Sequence, residues 1–390
     1  MSGPRAAIIG GAAGAVALGG IVVIFLWFCL LRNRSISRTS ETGSSDPSLP
    51  VGGGIELSTP GGVPHPSDSR EARCFALEEL AIATRNFTDI NLIGVGKFGE
   101  VHKGLLHDGM IVAIKKRPGA RSQEFVNEVC YLSSIRNRNL VTLLGYCQEN
   151  DQQMLVYEYI PNGSVSSHLY GPSQLSNGKL EFKQRLSIAL GAAKGLSHLH
   201  ALNPPLIHKD FKTRNVLVDE DFVPKVADSG LRNLLRRNDD AGPSSRLLSD
   251  DIFLDPRIKE FGRFSEKSDV YSFGVFLLEL LSGQEADRLQ FPESGQTQSI
   301  VEWAQNYQES KDVSTIIDPR LGSSFTQEGM KEFIWLIVHC VNAYTERRPT
   351  MHYVVSELDR ILEKERSLTT IMGEGTPTVA LGSQLFTSSR

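Results

Sequence analysis

Three glycines, Gly94, Gly96 and Gly99, constrain this chain more than any other stretch, because the residues after them decide which fold can hold them. In a dinucleotide-binding turn a glycine loop of this spacing opens a helix. Here it opens an extended run. Val101-His102-Lys103-Gly104-Leu105-Leu106 leads into His107-Asp108-Gly109 and then into Met110-Ile111-Val112-Ala113-Ile114-Lys115. Asp-Gly between two apolar runs signals a hairpin. The loop Ile93-Gly94-Val95-Gly96-Lys97-Phe98-Gly99 therefore joins strand to strand, which excludes the dinucleotide turn.

A second constellation stands at His208-Lys209-Asp210-Phe211-Lys212-Thr213-Arg214-Asn215. Phosphoryl transfer needs a carboxylate to orient the attacking hydroxyl, an amide oxygen for a metal and a cation near the moving phosphate. Asp210, Asn215 and Lys212 provide these at the spacing H-R-D-x-x-x-x-N. Such a triplet also arises by chance in surface loops, so the order of its neighbours matters. Before it stand the glycine loop and Val112-Ala113-Ile114-Lys115. After it stand Asp228-Ser229-Gly230, Ser265-Glu266-Lys267-Ser268-Asp269-Val270-Tyr271-Ser272-Phe273-Gly274-Val275 and Arg347-Arg348-Pro349. With these motifs in this order, residues from about Phe75 to Glu363 resemble the protein kinases. The amphipathic run Phe75 to Phe87, of the form F…EL…AT..F, is similar to the segment before the kinase domain in plant receptor-like kinases, relatives of the Pelle group.

That resemblance implies an α+β, bilobal protein kinase fold: a small, mainly-β N-lobe at about 74–159 and a large, mainly-α C-lobe at about 160–365. It implies ATP and Mg²⁺ as ligands. Ile93 to Gly99 would cover the phosphates, and Lys115 would hold two of them. Glu128, on a helix read over Gln123 to Ile135, would pair with Lys115. Val101 and Ala113 would lie above adenine and Leu217 below it. Tyr157 would be the gatekeeper, with Glu158 to Ile160 as the hinge. Asn215 and Asp228 would bind metal, and Asp210 would be the catalytic aspartate. Lys212, two residues after Asp210, fits the serine/threonine subset. Asp269 would brace the catalytic loop, and Arg348 would be a structural arginine.

Outside this region the chain changes character. Ala6 to Leu31 is an uncharged apolar run of about 26 residues, long enough to cross a hydrocarbon core of roughly 30 Å. A signal peptide has a shorter apolar core, about 7–15 residues, so an uncleaved membrane helix is expected. Arg32, Arg34 and Arg38 come after it while only Arg5 precedes it, which puts the large C-terminal part in the cytosol. The expectation is a single-pass protein, at the plasma membrane, with residues 1–5 outside and no ectodomain. Gly10 and Gly14 form a GxxxG that lets membrane helices approach as homo- or heterodimers; small residues are also simply common in such helices. Residues 32–73 are rich in Ser, Gly, Pro and Thr and read as a disordered linker that offers phosphorylation sites, and 366–390 read as a disordered tail. Five scattered cysteines without a CxxC suit a reduced compartment. The formal net charge of -4 argues against a nucleic-acid partner.

Four positions depart from the kinase pattern. Lys209 replaces the arginine before the catalytic aspartate and keeps its charge without its fork. Ser229 replaces the phenylalanine of D-F-G, leaving volume unfilled near Leu132 and His208. No threonine lies between Asp228 and Pro256, where the activation segment normally carries one. Arg257 stands where a glutamate should pair with Arg348, so two arginines would face each other unless Glu260 moved in. Two functions are therefore expected. One is a membrane-anchored serine/threonine kinase acting on protein substrates in signalling. The other is a pseudokinase scaffold that binds ATP beside an active partner kinase.

Overall fold

The computed structural model describes residues 72–170, 180–236, 251–289, 299–306 and 316–375, with side chains to 367 apart from 236, 259 and 306. The expected membrane span 6–31 lies outside them, as do residues 1–5, nearly all of the linker, and 376–390. Among the described residues no helix is long and apolar enough to cross a membrane.

The smaller half is a six-stranded sheet. Its strands are β1 (Arg73–Cys74), β2 (Leu92–Gly96), β3 (Gly99–Leu105), β4 (Ile111–Pro118), β5 (Leu143–Glu149) and β6 (Gln152–Glu158), in the order β1-β5-β6-β4-β3-β2. Arg73, assigned to the linker by composition, already pairs with Gly145. The β3–β4 hairpin turns at the expected Asp-Gly, where Gly109 has φ +87° and Met110 N donates to Asp108 Oδ1 at 2.9 Å. One face of the sheet buries Phe75, Leu80, Val112, Ile114, Met154 and Val156. Leu80 comes from α1 (Leu77–Ala83), which is shorter than its periodicity suggests. Thr84 stops it by turning its hydroxyl back to Leu80 O at 2.7 Å, and Arg85, Asn86 and Phe87 come next at positive φ.

On the other face lies α2 (Gln123–Ser134), capped by Ser122 and carrying buried Phe125, Val129 and Leu132 at helical spacing. The larger half begins with α3 (Val165–Leu169) and α4 (Phe182–His200), then the small β7 (Val216–Val218) and β8 (Pro224–Val226) pair. After these come α5 (Leu231–Arg236), α6 (Pro256–Phe261), α7 (Glu266–Ser282), α8 (Ile300–Asn306), α9 (Gln327–Cys340) and α10 (Met351–Gly375). The helix α7 is buried from Ser268 to Ser282 apart from Ser272, as its all-round apolar sequence requires. Phe211 from the catalytic loop packs against Phe273 and Phe276 on it, with ring centroids 5.6 and 5.5 Å away. The loop is thus seated on the core of the large half. The last helix runs past the boundary expected at 366, because Ser367 to Met372 holds no proline or glycine to stop it.

Candidate active site

The glycine loop stands over the cleft between the halves. Gly99 has φ +136°, and an added Cβ there would lie 2.1 Å from Lys116 O, so only glycine fits. Beneath lies a cavity of about 520 Å³. Ile93, Gly94, Val95, Gly96, Val101, Ala113 and Lys115 line it from the sheet side, and Tyr157, Glu158 and Ile160 from the link between the halves. Asn215, Leu217 and Asp228 close it from below. A smaller space of about 110 Å³ shares part of this lining and adds Lys97, Phe98, Gly99, Asp210 and Lys212. Every residue expected at the nucleotide therefore borders one of the two spaces except Glu128. The sheet ladder ends at the Val112–Glu158 pair, which leaves the backbone beyond it outside the sheet. Burial raises the Tyr157 phenol far above its ordinary pKa, so it stays neutral.

The catalytic loop is held from below by Asp269. Its carboxylate accepts from His208 N at 2.7 Å and Lys209 N at 2.9 Å, the bracing expected of it, and from the His200 ring at 2.9 Å. His208 Nε2 meets Ala227 O at 2.9 Å, and Asn215 Nδ2 donates to Asp210 O at 2.9 Å. Lys209 and Asp228 adopt left-handed φ of +67° and +65°. Such conformations persist only where surrounding contacts enforce them.

Two lysines flank Asp210. Lys212 Nζ is 3.2 Å from Oδ1, and Lys97 Nζ reaches down from the glycine loop to 2.6 Å. Burial would raise the Asp210 carboxyl, but the Lys212 and Lys97 ammoniums outweigh it and hold the group below the ordinary aspartate value. Asp251 adds a second carboxylate, 3.5 Å from Lys212 and 3.9 Å from Lys97.

The structure corrects three expectations. First, Lys115 pairs with Asp228 rather than with Glu128. Glu128 instead accepts from Asn233 Nδ2 on α5 at 3.3 Å. The other end of Asn233 accepts from Lys209 Nζ at 2.5 Å. The helix α5 comes directly after Asp228-Ser229-Gly230, so it lies under α2 and offers Glu128 a nearer partner. Second, the volume left by Ser229 is mostly closed. Only about 20 Å³ remains among Leu132, Ile135, Leu140, Val141, Leu143, Tyr157 and Leu199. Leu132 lies so near that a Cβ on Gly230 would meet it at 2.5 Å. The Ser229 hydroxyl is buried with no partner among the described residues.

The third correction concerns Arg348. It does not face Arg257. Its guanidinium forks onto Asp255, with Nη1–Oδ2 at 2.5 Å and Nη2–Oδ1 at 3.0 Å, and both side chains are almost wholly buried. Asp255 also caps α6 by accepting from Arg257 N at 3.0 Å. Arg257 points outward to Glu260 at 3.0 Å, and Glu260 stays on the surface. The partners Asp255, Asn233 and Lys97 were not apparent beforehand. Asp255-Pro256 did carry a helix-start signal, but nothing local says what else that carboxylate binds.

Over residues 87–358 the sequence matches the family described as protein tyrosine and serine/threonine kinase. The chain belongs to the protein kinase family. Among its relatives, the probable serine/threonine-protein kinase PBL21 of Arabidopsis thaliana is 37% identical, over 86% of this chain and 87% of that one. The serine/threonine-protein kinase CDG1 of Arabidopsis thaliana is 39% identical, over 86% and 81%. The nodulation receptor kinase of Pisum sativum is 37% identical over 92% of this chain, which spans only 39% of that longer protein. A solved structure of the pseudokinase domain of BIR2, an immune regulator of the RLK/Pelle family, is 31% identical. It superposes with a TM-score of 0.60 and covers 74% of this chain and 86% of that one. This protein kinase domain thus has both receptor-like kinases and a pseudokinase among its relatives.

Proposed function

We propose that the chain is a membrane-anchored serine/threonine kinase that transfers the γ-phosphate of ATP to protein hydroxyls. The observation that carries this reading is the gathering of Lys115, Asp210, Lys212, Asn215 and Asp228 around two adjoining spaces in one cleft. Adenine would lie between Ala113 and Leu217 against the backbone of Glu158 to Ile160. Asp210 would accept the hydrogen bond of the attacking hydroxyl and align it. Lys212 would face the phosphate being transferred. Asn215 and Asp228 offer an amide and a carboxylate oxygen on the same cavity, a donor set that fits Mg²⁺, which takes one or two carboxylates beside phosphate oxygens. When bound, that ion would neutralise charge on the phosphates. Lys115 would then leave Asp228 for the nucleotide.

A second reading is a nucleotide-binding pseudokinase that partners an active kinase. It is favoured by Lys115 on Asp228, Glu128 on Asn233 and Lys97 on Asp210, three pairings that engage the side chains transfer would need. Radiolabelled ATP with the full-length chain, beside its Asp210→Asn variant, separates the two. Incorporation above the variant supports the kinase. Equal incorporation, with ATP still bound, leaves the scaffold.

The anchor rests on the apolar run Ala6–Leu31. Protease added outside intact cells is expected to leave the kinase domain whole, and its digestion would reverse the topology.

A further inference from the structure

Among the described residues, the phosphate end of the cleft has more positive charge than its two carboxylates can balance. Five of these residues are cations that line the 110 Å³ space: Lys97, Lys115, Lys212, Arg214 and Arg232. Against them, among the same described residues, stand Asp210 and Asp228, a formal surplus of three positive charges. Asp251, just outside, lowers that surplus to two. Among the described residues Lys115 is paired with Asp228, and Lys97 and Lys212 share Asp210. Arg232 is committed to Lys209 O at 2.7 Å and lies over the Phe264 ring.

Arg214 differs from the other four. It is exposed, and it borders both the large cavity and the small one. No hydrogen bond or ion pair engages it among the described residues. It sits beside Asn215 in the catalytic loop, where a nucleotide lying in the large cavity would pass its phosphates into the small one. A guanidinium presents two parallel donors to a phosphate and cannot lose its charge.

A divalent ion normally supplies the positive charge that lets phosphates approach carboxylates. Here lysines already neutralise both carboxylates, and a spare arginine stands at the junction. We infer that this cleft binds a nucleoside triphosphate without a divalent cation, with Arg214 as an added phosphate ligand beside Lys97 and Lys115. This rests on the nucleotide-site reading above and extends it: a metal-free ATP complex forms in its own right, whether or not transfer later recruits Mg²⁺.

Calorimetric titration of the full-length chain tests it. ATP in EDTA is expected to bind with a dissociation constant within about threefold of that in Mg²⁺. Arg214→Ser should weaken ATP binding in EDTA about tenfold, the scale of one charge-assisted hydrogen bond. The same variant should bind adenosine like the wild type, because adenosine carries no phosphate; a merely structural role would change both ligands. Binding only in Mg²⁺ would overturn the inference while leaving the nucleotide site in place. No ATP binding under either condition would overturn both. Equal ATP binding in EDTA by wild type and Arg214→Ser would remove Arg214 from the site and refute its assignment.

Discussion

Asp255→Asn removes the charge of a buried pair and leaves one acceptor oxygen where the fork uses two. Asn is as good a helix cap as Asp, so the bond from Arg257 N survives and α6 keeps its start. The shape is nearly the same and the amide oxygen still accepts from Arg348 Nη2, but the amide N–H that replaces Oδ2 faces Arg348 Nη1, so one bond of the fork is lost with the charge. The negative charge lost stood opposite a guanidinium whose side chain is 1% exposed. Arg348 retains Asn342 O at 2.8 Å and Lys267 O at 3.1 Å, but carbonyl dipoles do not replace an ion. Removing one member of a buried pair costs about 3–5 kcal/mol. The surviving hydrogen bonds put this case near the lower figure, about 3 kcal/mol. For a domain of this size each kcal/mol moves the melting temperature by roughly 2 °C, so a fall of about 6 °C is expected. Thermal and urea unfolding of the full-length chain read it, and added salt should barely alter the difference because water does not reach the pair. A variant melting within about 1 °C of wild type would mean that Arg348 does not depend on Asp255, and the explanation for the missing glutamate would fail.

Arg257→Glu, which would restore the familiar residue, is expected to change stability by less than about 0.5 kcal/mol, since Arg257 holds a surface pair with Glu260 and lies over the exposed Phe261 ring; chemical unfolding checks it. Ser229→Ala should stabilise by about 1 kcal/mol by removing an unpaired buried hydroxyl. Ser229→Phe should destabilise by about 1–3 kcal/mol, because 20 Å³ cannot take a ring unless Leu132 retreats; the melting temperatures of the pair read both signs. Asn233→Ala removes one contact of Glu128 and one of Lys209 together and should cost about 1–3 kcal/mol. If these contacts restrain transfer, the variant should also label substrate faster than wild type, and unchanged labelling would deny Asn233 that role. The lowered Asp210 carboxyl contributes stability above the ordinary aspartate pKa of about 4, lost as pH falls through its depressed folded value. The melting-temperature gap between wild type and Asp210→Asn should therefore be full at pH 7 and shrink below about pH 4.

Much of the fold was legible because its signals are local. Asp108-Gly109 between apolar runs makes a hairpin wherever it stands, and the stripe Phe125, Val129, Leu132 makes an amphipathic helix. The motif Ser265 to Val275 pointed to a helix by its resemblance, whereas the apolar run Phe273 to Leu281 by itself fits a buried strand as well as the buried helix it forms. The spacing His208 to Asn215 is a short covalent distance, so bringing Asp210, Lys212 and Asn215 together needed no long-range information.

Which charge meets which was decided only by the tertiary structure. Lys115 was expected on Glu128, yet it pairs with Asp228, while α5 places Asn233 against Glu128. Arg348 had Glu260 in prospect and found Asp255, because the turn into α6 aims that carboxylate inward and Arg257 outward. The chain's order of residues lists the candidates for such pairings, but choice among them turns on separations of an ångström or two. Attraction and desolvation both change steeply over that range. Those separations belong to elements distant in sequence, and they exist only after the halves have packed.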